Sequence, residues 1–351
     1  MASTYLLRGQ SDEKTTDIST FQFMRIALLG AGHLGKVHLK CILASGCWDF
    51  VGFYEPDDKN AAAATAQFGA KRFDSLDQLL DMVDAVDIVT PTPTHYQLAR
   101  KALRAGKHVF IEKPVTETVA QGKKLLDLAD SRGLTVQVGH VERFNPAFIA
   151  LGGMTLNPMF IEGHRLAAFQ PRGTDVSVIL DLMIHDLDLV LHLVKSPVKK
   201  VSASGVAVLS STPDIANARI EFANGCVANL TASRISMKQM RKMRLFQPDH
   251  YLSLDFLDKN TQVVRLFEQT ANNLPPLDEL MEFETAHGKK WLQLQMPETA
   301  PVNAIEQELR SFHAAISANQ APVVTLQDGV SALKLAHQIL REINARKAHA
   351  T

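Results

Sequence analysis

Cysteine is scarce in this chain of 351 residues, which contains only Cys41, Cys47 and Cys226. None of them forms a CxxC pair or lies beside a histidine cluster, so the sequence predicts neither a disulfide framework nor a metal site. Such low cysteine use is typical of proteins in a reducing compartment. We therefore predict a cytoplasmic protein.

Net charge and long apolar runs are lacking as well. Lys plus Arg and Asp plus Glu both number 37, which gives a formal charge of zero. No basic surface is predicted to attract nucleic acid or an anionic membrane, and no stretch reaches the roughly 18 apolar residues that span a bilayer. Residues 1–23 are polar and lack the apolar core of a secretory signal, so we interpret them as an N-terminal extension before two domains of ordinary size.

The segment from Met24 to Gly35 carries the first functional motif. Its short apolar run predicts a buried strand that ends at once in a GxGxxG turn made by Gly30, Gly32 and Gly35. The three glycines permit, in order, a tight turn, the approach of a pyrophosphate and close packing of the next helix. That helix begins at His33 and Leu34, and its positive N-terminus would face the phosphates.

A carboxylate follows the second predicted strand, Trp48 to Tyr54. Glu55 lies about 20 residues past the last glycine, which is the spacing of an acid that accepts hydrogen bonds from the adenosine ribose. Because a carboxylate there repels a 2′-phosphate, the two motifs predict a site for NAD rather than NADP. The alternative is a loop acid on a purely structural βαβ unit.

Strands and helices alternate through residues 24–141, which predicts βαβ units, a parallel sheet and a Rossmann domain. Two later strands of this region end in proline-containing motifs, at the sheet edge where ligands bind in such folds. The motif residues assigned to the cofactor are Thr90, Pro91, Thr92, His95, Glu112 and Lys113. Pro114 is a candidate for a cis peptide bond.

Residues 142–351 are predicted to form a substrate-binding and oligomerisation domain of α+β type. An apolar helix at Val176–Val194 precedes a series of strand-like segments, and Asn224-Gly225 predicts a hairpin turn. We expect an open, mainly antiparallel sheet with helices on one face. Its other face is available to a second subunit, which favours a homodimer or homotetramer. The last helix is predicted to pack back on the Rossmann domain.

The apolar helix at Val176–Val194 carries a stripe of ionisable residues: Asp181, His185, Asp188 and His192. Their spacing places them on one helix face. Burying such groups costs free energy unless they are paired or used in chemistry. The stripe therefore indicates either a catalytic cleft between the domains or a structural Asp–His pair, and without the HExxH spacing it does not favour zinc.

Four motifs, in this order, resemble those of the Gfo/Idh/MocA oxidoreductases: GAGHLG at 30–35, TPTPTH at 90–95, Glu112-Lys113-Pro114 and Asp181-x-x-x-His185. The resemblance extends over residues 24–346. It implies a Rossmann domain followed by an α/β domain on an open antiparallel sheet. It also implies an enzyme that oxidises or reduces sugars or cyclitols with a nicotinamide cofactor.

The same resemblance implies that Lys113, Asp181 and His185 are the catalytic residues. In the mechanism that we expect, His185 takes the proton of a substrate hydroxyl, because imidazole has suitable basicity near neutral pH. Lys113 stabilises the developing alkoxide, and Asp181 orients the pair. Whether His185 or Lys113 is the terminal base stays open at this point.

A narrower resemblance connects residues 139–146, 181–189 and 232–244 to UDP-N-acetylglucosamine 3-dehydrogenases. Arginines are suitable donors to a diphosphate, and Arg241 is one further candidate. The residues predicted to bind substrate are Arg143, Asn145, Arg165, Arg172, Asp181, His185 and Arg234.

The resemblance implies oxidation of the 3-hydroxyl of a UDP-N-acetylhexosamine, with UDP-N-acetylglucosamine favoured. A 3-keto product would suit an aminotransferase in the synthesis of lipid A or another surface glycan. Two alternatives remain at this stage. One is a dehydrogenase of a free sugar, inositol or sugar acid, and the other is an NAD-binding regulator without catalysis.

Overall fold

The structure is a computed structural model that describes residues 24–170, 176–271, 274–286 and 288–350. The predicted extension at 1–23 and the predicted substrate ligand Arg172 lie outside the described residues. Within them, no helix is both long and apolar enough to cross a membrane.

A parallel sheet of five strands forms the first half of the fold, with strand order β2-β1-β3-β4-β5. The strands are β1 (Met24–Leu29), β2 (Trp48–Tyr54), β3 (Ala85–Ile88), β4 (His108–Glu112) and β5 (Val136–Gly139). The helices between them are α1 (His33–Ser45), α2 (Asp58–Phe68), α3 (Leu76–Asp81), α4 (Thr92–Arg104) and α5 (Val119–Arg132). This arrangement confirms the predicted Rossmann sheet.

Local sequence signals account for these elements. Side chains of β1 from Ile26 to Leu29 are fully buried, as expected for a central strand covered on both faces. The Asp57 side chain accepts a hydrogen bond from the amide of Asn60 and begins α2. Thr118 and Gln121 form a capping box at the start of α5.

A sheet of nine strands forms the second half, with order β13-β14-β12-β11-β10-β6-β9-β8-β7. The strands are β6 (Phe160–Leu166), β7 (Val198–Val206), β8 (Ile215–Phe222), β9 (Val227–Ser233), β10 (Met240–Phe246), β11 (His250–Asp255), β12 (Asn260–Glu268), β13 (Met281–Thr285) and β14 (Gly288–Gln295). Neighbouring strands are antiparallel except β6 and β9, which are parallel. The predicted mainly antiparallel sheet is confirmed.

Strand β6 is absent from the sequence-based prediction, and its inward residues explain why. The buried positions of this strand are Ile161, Gly163 and Arg165. A glycine and an arginine facing inward hide the alternation of apolar and polar residues on which strand prediction depends.

The helices that follow β5 are α6 (Pro146–Ile149), α7 (Ile184–Leu193), α8 (Ala304–Ser317) and α9 (Leu326–Ala350). Helix α8 packs on the Rossmann half, where its Leu309 and Phe312 join a core with Ile26 and Trp48. The helix predicted at Val176–Val194 is shorter than expected, because residues Ile179–Met183 form a π-helical turn that leads into α7. In α9, Val330 and Leu333 pack in the core of the Rossmann half, whereas Ala336 and Ile339 pack in the core of the second half.

Candidate active site

The glycine turn after β1 has the geometry that a dinucleotide requires. Gly30 has φ +96°, and a Cβ there would lie 2.9 Å from the carbonyl oxygen of Val89. A Cβ on Gly35 would lie 2.0 Å from the carbonyl oxygen of Gly30, so only glycine allows α1 to begin this close to the strand. At Gly32 a Cβ would meet no described atom within 4 Å. The loop therefore faces open space at the N-terminus of α1, where His33 and Leu34 are exposed, and a pyrophosphate fits there.

Glu55 is held at the end of β2 beside this turn. Its Oε2 accepts a hydrogen bond from the amide of Ala31 at 2.8 Å, and its Oε1 accepts one from the amide of Asp57 at 3.0 Å. Two backbone donors fix the carboxylate at the position expected for a ribose ligand. Each oxygen keeps a second lone pair for a hydroxyl group.

Replacing Glu55 with glutamine is expected to reduce the preference for NAD over NADP at least about tenfold, measured as the ratio of kcat/KM values. The amide keeps one acceptor for the backbone but removes the charge that repels a 2′-phosphate a few ångströms away. Asp58→Asn, at an exposed carboxylate on α2, is the matched control and should leave the ratio unchanged. An unchanged ratio in Glu55→Gln would remove Glu55 from this role.

His95 links the two motifs that follow β3 and β4. Its Nδ1 lies 2.9 Å from the carbonyl oxygen of Pro114, and its Nε2 lies 2.8 Å from that of Thr90. Burial lowers the pKa of His95, so the neutral ring donates to one of the two at a time. The buried His95 is thus a positioning residue for this edge of the sheet. Pro91 is exposed and Thr92 partly buried at the same edge.

Lys113 reaches from the end of β4 to the π-helical turn. Its Nζ donates a hydrogen bond to the backbone oxygen of Asp181 at 2.7 Å and lies 3.5 Å from the carboxylate Oδ1 of the same residue. The Lys113–Pro114 bond is cis, as predicted. The amide of Lys113 donates to Oε2 of Glu112 at 3.1 Å. The structure therefore brings Lys113 and Asp181 into direct contact.

His185 lies one turn after Asp181, close to Lys113 and to a second histidine, His140. The rings of His140 and His185 are 6.3 Å apart and perpendicular. Burial, followed by the positive charge of Lys113, holds the pKa of His185 well below its usual range. Its Nδ1 has no hydrogen-bond partner among the described residues. A neutral imidazole with an unused nitrogen is suited to accept a proton.

Asp188 and His192, the other two residues of the predicted stripe, both contact Arg143. Asp188 forms two hydrogen bonds with the guanidinium of Arg143, at 2.7 Å from Nε and 2.8 Å from Nη2. Nδ1 of His192 lies 2.7 Å from Nη1 of the same arginine. Both side chains of the Arg143–Asp188 pair are buried. The stripe therefore divides into Asp181 and His185, which lie beside Lys113, and Asp188 and His192, which bind Arg143 and fix α7.

Arg165 and Asn145 are also occupied within the protein. The buried guanidinium of Arg165 donates to Glu142 at 2.7 Å and to Asp186 at 2.7 Å. The side-chain amide of Asn145 donates to Glu142 and to the carbonyl oxygen of Phe256, while its oxygen accepts from an amide of α6. In the structure, carboxylates and backbone groups of the protein bind Arg143, Arg165 and Asn145. Their expected role as substrate donors stays a prediction.

Arg234 and Arg241 lie in different surroundings. Arg234 is buried, donates to the carbonyl oxygen of Val176 and lies 3.6 Å from Asp214, so it supports the start of the π-helical turn. Arg241 is exposed on β10, and its positive charge contributes to the lowered pKa of His185. Of the predicted arginines that the structure describes, Arg241 is the one placed to meet a ligand near His185.

Replacing Asp188 with asparagine is expected to lower the free energy of unfolding by about 3 kcal/mol, because it leaves Arg143 buried without its main counter-charge. Chemical denaturation followed by far-UV circular dichroism measures this change. Glu306→Gln breaks the partly exposed i,i+4 pair with Arg310 and should cost about 0.5 kcal/mol or less. Equal losses in the two variants would contradict the structural role of the buried pair.

His140, whose ring lies 6.3 Å from that of His185, was not predicted as a site residue from the sequence. His140 directly follows β5, so the rule that placed Lys113 at the carboxyl edge of the sheet applies to it equally. Both of its ring nitrogens are buried and have no hydrogen-bond partner among the described residues, and burial lowers its pKa. It forms the wall of the site beside His185.

Two family models match the chain. One, described as an oxidoreductase family with an NAD-binding Rossmann fold, matches residues 24–140. The other, described as a GFO/IDH/MocA C-terminal domain, matches residues 162–246. The first model agrees with the geometry of the glycine turn, so the first half of the chain is an NAD-binding Rossmann domain.

Curated relatives include a UDP-N-acetylglucosamine 3-dehydrogenase of Acidithiobacillus ferrooxidans, which is 39% identical over 254 residues, 72% of this chain and 80% of the relative. A scyllo-inositol 2-dehydrogenase (NAD(+)) of Bacillus subtilis is 30% identical over 234 residues, 61% of this chain and 68% of the relative.

Among solved structures, a UDP-N-acetylglucosamine 3-dehydrogenase from Acidithiobacillus ferrooxidans has a TM-score of 0.82 at 34% identity and covers 92% of this chain and 98% of its own. A levoglucosan dehydrogenase in complex with NADH and levoglucosan has a TM-score of 0.76 at 19% identity and covers 92% of this chain and 98% of its own. The latter shows likeness of fold alone.

Proposed function

Because the chain belongs to the Gfo/Idh/MocA oxidoreductase family, we propose that it is an NAD-dependent dehydrogenase of the 3-hydroxyl of a UDP-N-acetylhexosamine, with UDP-N-acetylglucosamine favoured. The observation that carries the proposal is the meeting of Lys113, Asp181 and His185 at the carboxyl edge of the NAD-binding sheet. The choice of substrate rests on the relative that is 39% identical to this chain.

NAD, when bound, supplies the acceptor for the hydride that leaves carbon 3. His185 accepts the proton of the hydroxyl group, because its lowered pKa keeps the ring neutral near pH 7. The Lys113 ammonium donates to the same oxygen and stabilises the charge that develops on it. Asp181 holds that ammonium with its backbone oxygen at 2.7 Å and its carboxylate at 3.5 Å.

The diphosphate of a nucleotide sugar needs cationic donors near the catalytic pair. We assign Arg241 to this role, because it is exposed on β10 and its charge acts on His185. Arg172 stays a prediction, since it lies outside the described residues. Arg143 and Arg165 are left out of the substrate site because Asp188, Glu142 and Asp186 occupy their donors.

A comparison of substrates tests the proposal. We expect kcat/KM with UDP-N-acetylglucosamine to exceed that with N-acetylglucosamine or scyllo-inositol at least about 100-fold, because a charged diphosphate bound by arginine contributes several kcal/mol. In Arg241→Gln, KM for the nucleotide sugar should rise at least about tenfold while turnover of any free sugar stays unchanged. If the protein turned over inositol in preference to the nucleotide sugar, the result would agree with the family assignment but contradict the proposed substrate.

Two wider roles accompany this proposal. A 3-keto nucleotide sugar is a substrate class for an aminotransferase, which would place the reaction before the amination of a sugar for lipid A or another surface glycan. The face of the large sheet that carries exposed Phe246 and Leu266 would bind a second copy of the chain to give a dimer or tetramer. Sedimentation equilibrium measures that assembly, and a monomer at micromolar concentration would contradict it.

A further inference from the structure

A buried cluster of ionisable side chains lies beneath the catalytic edge, outside the groups that the proposed reaction uses. Four elements of the Rossmann half meet there, and each contributes one residue: His38 from α1, Asp87 from β3, Glu112 from β4 and Glu308 from α8. His38, Asp87 and Glu308 are fully buried, and Glu112 is 7% exposed. Ionisable groups at this depth cost free energy unless an opposite charge compensates them.

His38 is held between two carboxylates. Its Nδ1 lies 2.9 Å from Oδ2 of Asp87, and its Nε2 lies 3.3 Å from Oε1 of Glu112. A carboxylate on one ring nitrogen fixes the tautomer and leaves the other nitrogen as a donor to a metal, which is the usual support of a metal-binding histidine. In a tetrahedral zinc site with bonds of about 2.0 Å, two ligand atoms lie about 3.3 Å apart. Nε2 of His38 and Oε1 of Glu112 have this separation.

The carboxylate of Glu308 gives independent evidence that a ligand binds at this cluster. Both of its carboxylate oxygens are buried and have no hydrogen-bond partner among the described residues, and the same holds for Nε2 of His38. Ligand atoms of His38, Glu112 and Glu308 all lie within 4.8 Å of one another. Donor atoms of metal-binding type from three side chains thus lie close together in the interior.

The charges around this point favour a cation. Asp87, Glu112 and Glu308 are three carboxyl groups around a single imidazole, and the nearest ammonium, Lys113, is directed to Asp181. With three buried carboxyl groups and one imidazole, the cluster has a place for a further positive charge, which a metal ion supplies.

We propose that His38, Glu112 and Glu308 bind a divalent first-row metal ion of the zinc or manganese class, with Asp87 as the outer partner of His38. Imidazole and carboxylate are a ligand set for such ions. The ion joins α8 to β4 and holds Glu112, whose other oxygen accepts the amide of Lys113. Its role is structural, because it stabilises the strand end that carries the catalytic lysine.

The metal content of the wild-type protein tests the proposal without any activity assay. The protein is purified without chelator and analysed by inductively coupled plasma mass spectrometry, and we expect about one equivalent of zinc or manganese per chain. Refolding in the presence of EDTA should lower the Tm by at least about 5 °C, and one equivalent of zinc chloride or manganese chloride should restore it.

Glu308→Gln, which keeps the shape of the side chain, should lose the metal, whereas Glu306→Gln on the same helix should retain it. The proposal would be overturned if the wild-type protein contained no stoichiometric metal and its Tm did not change with EDTA or with added zinc or manganese. A proton shared by the carboxyl groups would then balance the charge. If Glu308→Gln does not fold, the metal content and the Tm of the wild-type protein still test the proposal.

Discussion

Replacing Lys113 with methionine is expected to lower kcat about 1,000-fold with UDP-N-acetylglucosamine, while the Kd for NADH changes less than about threefold. Methionine keeps much of the length of the lysine side chain and removes the ammonium. The substrate oxygen then loses the donor that stabilises its developing charge, and Asp181 loses the contact at 2.7 Å. Steady-state kinetics and the fluorescence of bound NADH measure the two quantities.

Lys123→Met is the matched control for this experiment. Lys123 is exposed on α5, and its replacement should leave both kcat and NADH binding unchanged. A Lys113→Met variant that keeps more than about a tenth of wild-type turnover would leave Lys113 at most about 1.4 kcal/mol of transition-state stabilisation and would contradict this role.

Replacing His185 with asparagine is expected to lower kcat at least about 100-fold, because the variant lacks the general base that accepts the proton of the substrate hydroxyl. Asparagine retains polarity and reduces the volume only modestly, so the surrounding core is preserved. The variant protein should bind NADH normally, because His185 belongs to α7 and not to the glycine turn or Glu55, which are assigned to the cofactor.

The pH profile assigns the role of His185 more specifically. Burial and the charge of Lys113 lower its pKa, so the ring is neutral at pH 7 and becomes protonated only as the pH falls well below 6.5. The wild-type kcat/KM should therefore be level from about pH 6.5 to 8 and decline only in more acidic solution, and the acidic decline should vanish in His185→Asn. A decline centred at or above pH 6.5 that persists in the variant would assign the proton to another group.

The Rossmann half could be predicted almost completely from the sequence. Its strands are apolar runs buried on both faces, and its turns carry glycine or capping residues, so local pattern and tertiary fold agree. The positions of Gly30, Glu55 and Lys113 follow from one rule, because ligands bind at the carboxyl edge of a parallel sheet.

The second half was harder to predict because its buried positions are partly polar. Arg165 points into the core of β6 and is stable there only because Glu142 and Asp186 balance its charge. Such pairs join residues that are far apart in sequence, so no local pattern identifies them. For the same reason, the sequence does not distinguish an arginine that forms buried ion pairs from one that binds a substrate.

The buried cluster around His38 shows the same limit. Asp87 interrupts the apolar strand β3, which is a visible signal in the sequence, yet its partner His38 lies 49 residues away along the chain. Glu308 comes from α8 and meets them only in the folded chain. A polar residue inside an otherwise buried strand therefore indicates that a partner exists, but not which residue it is.

We propose that this chain oxidises carbon 3 of a UDP-N-acetylhexosamine with NAD. The most direct test mixes the purified protein with NAD and UDP-N-acetylglucosamine, adds hydroxylamine to trap the ketone, and measures NADH by absorbance and the oxime by mass spectrometry. We predict equal amounts of NADH and trapped 3-ketosugar nucleotide, and no signal in Lys113→Met. Normal NADH binding with neither NADH formation nor oxime would contradict the claim.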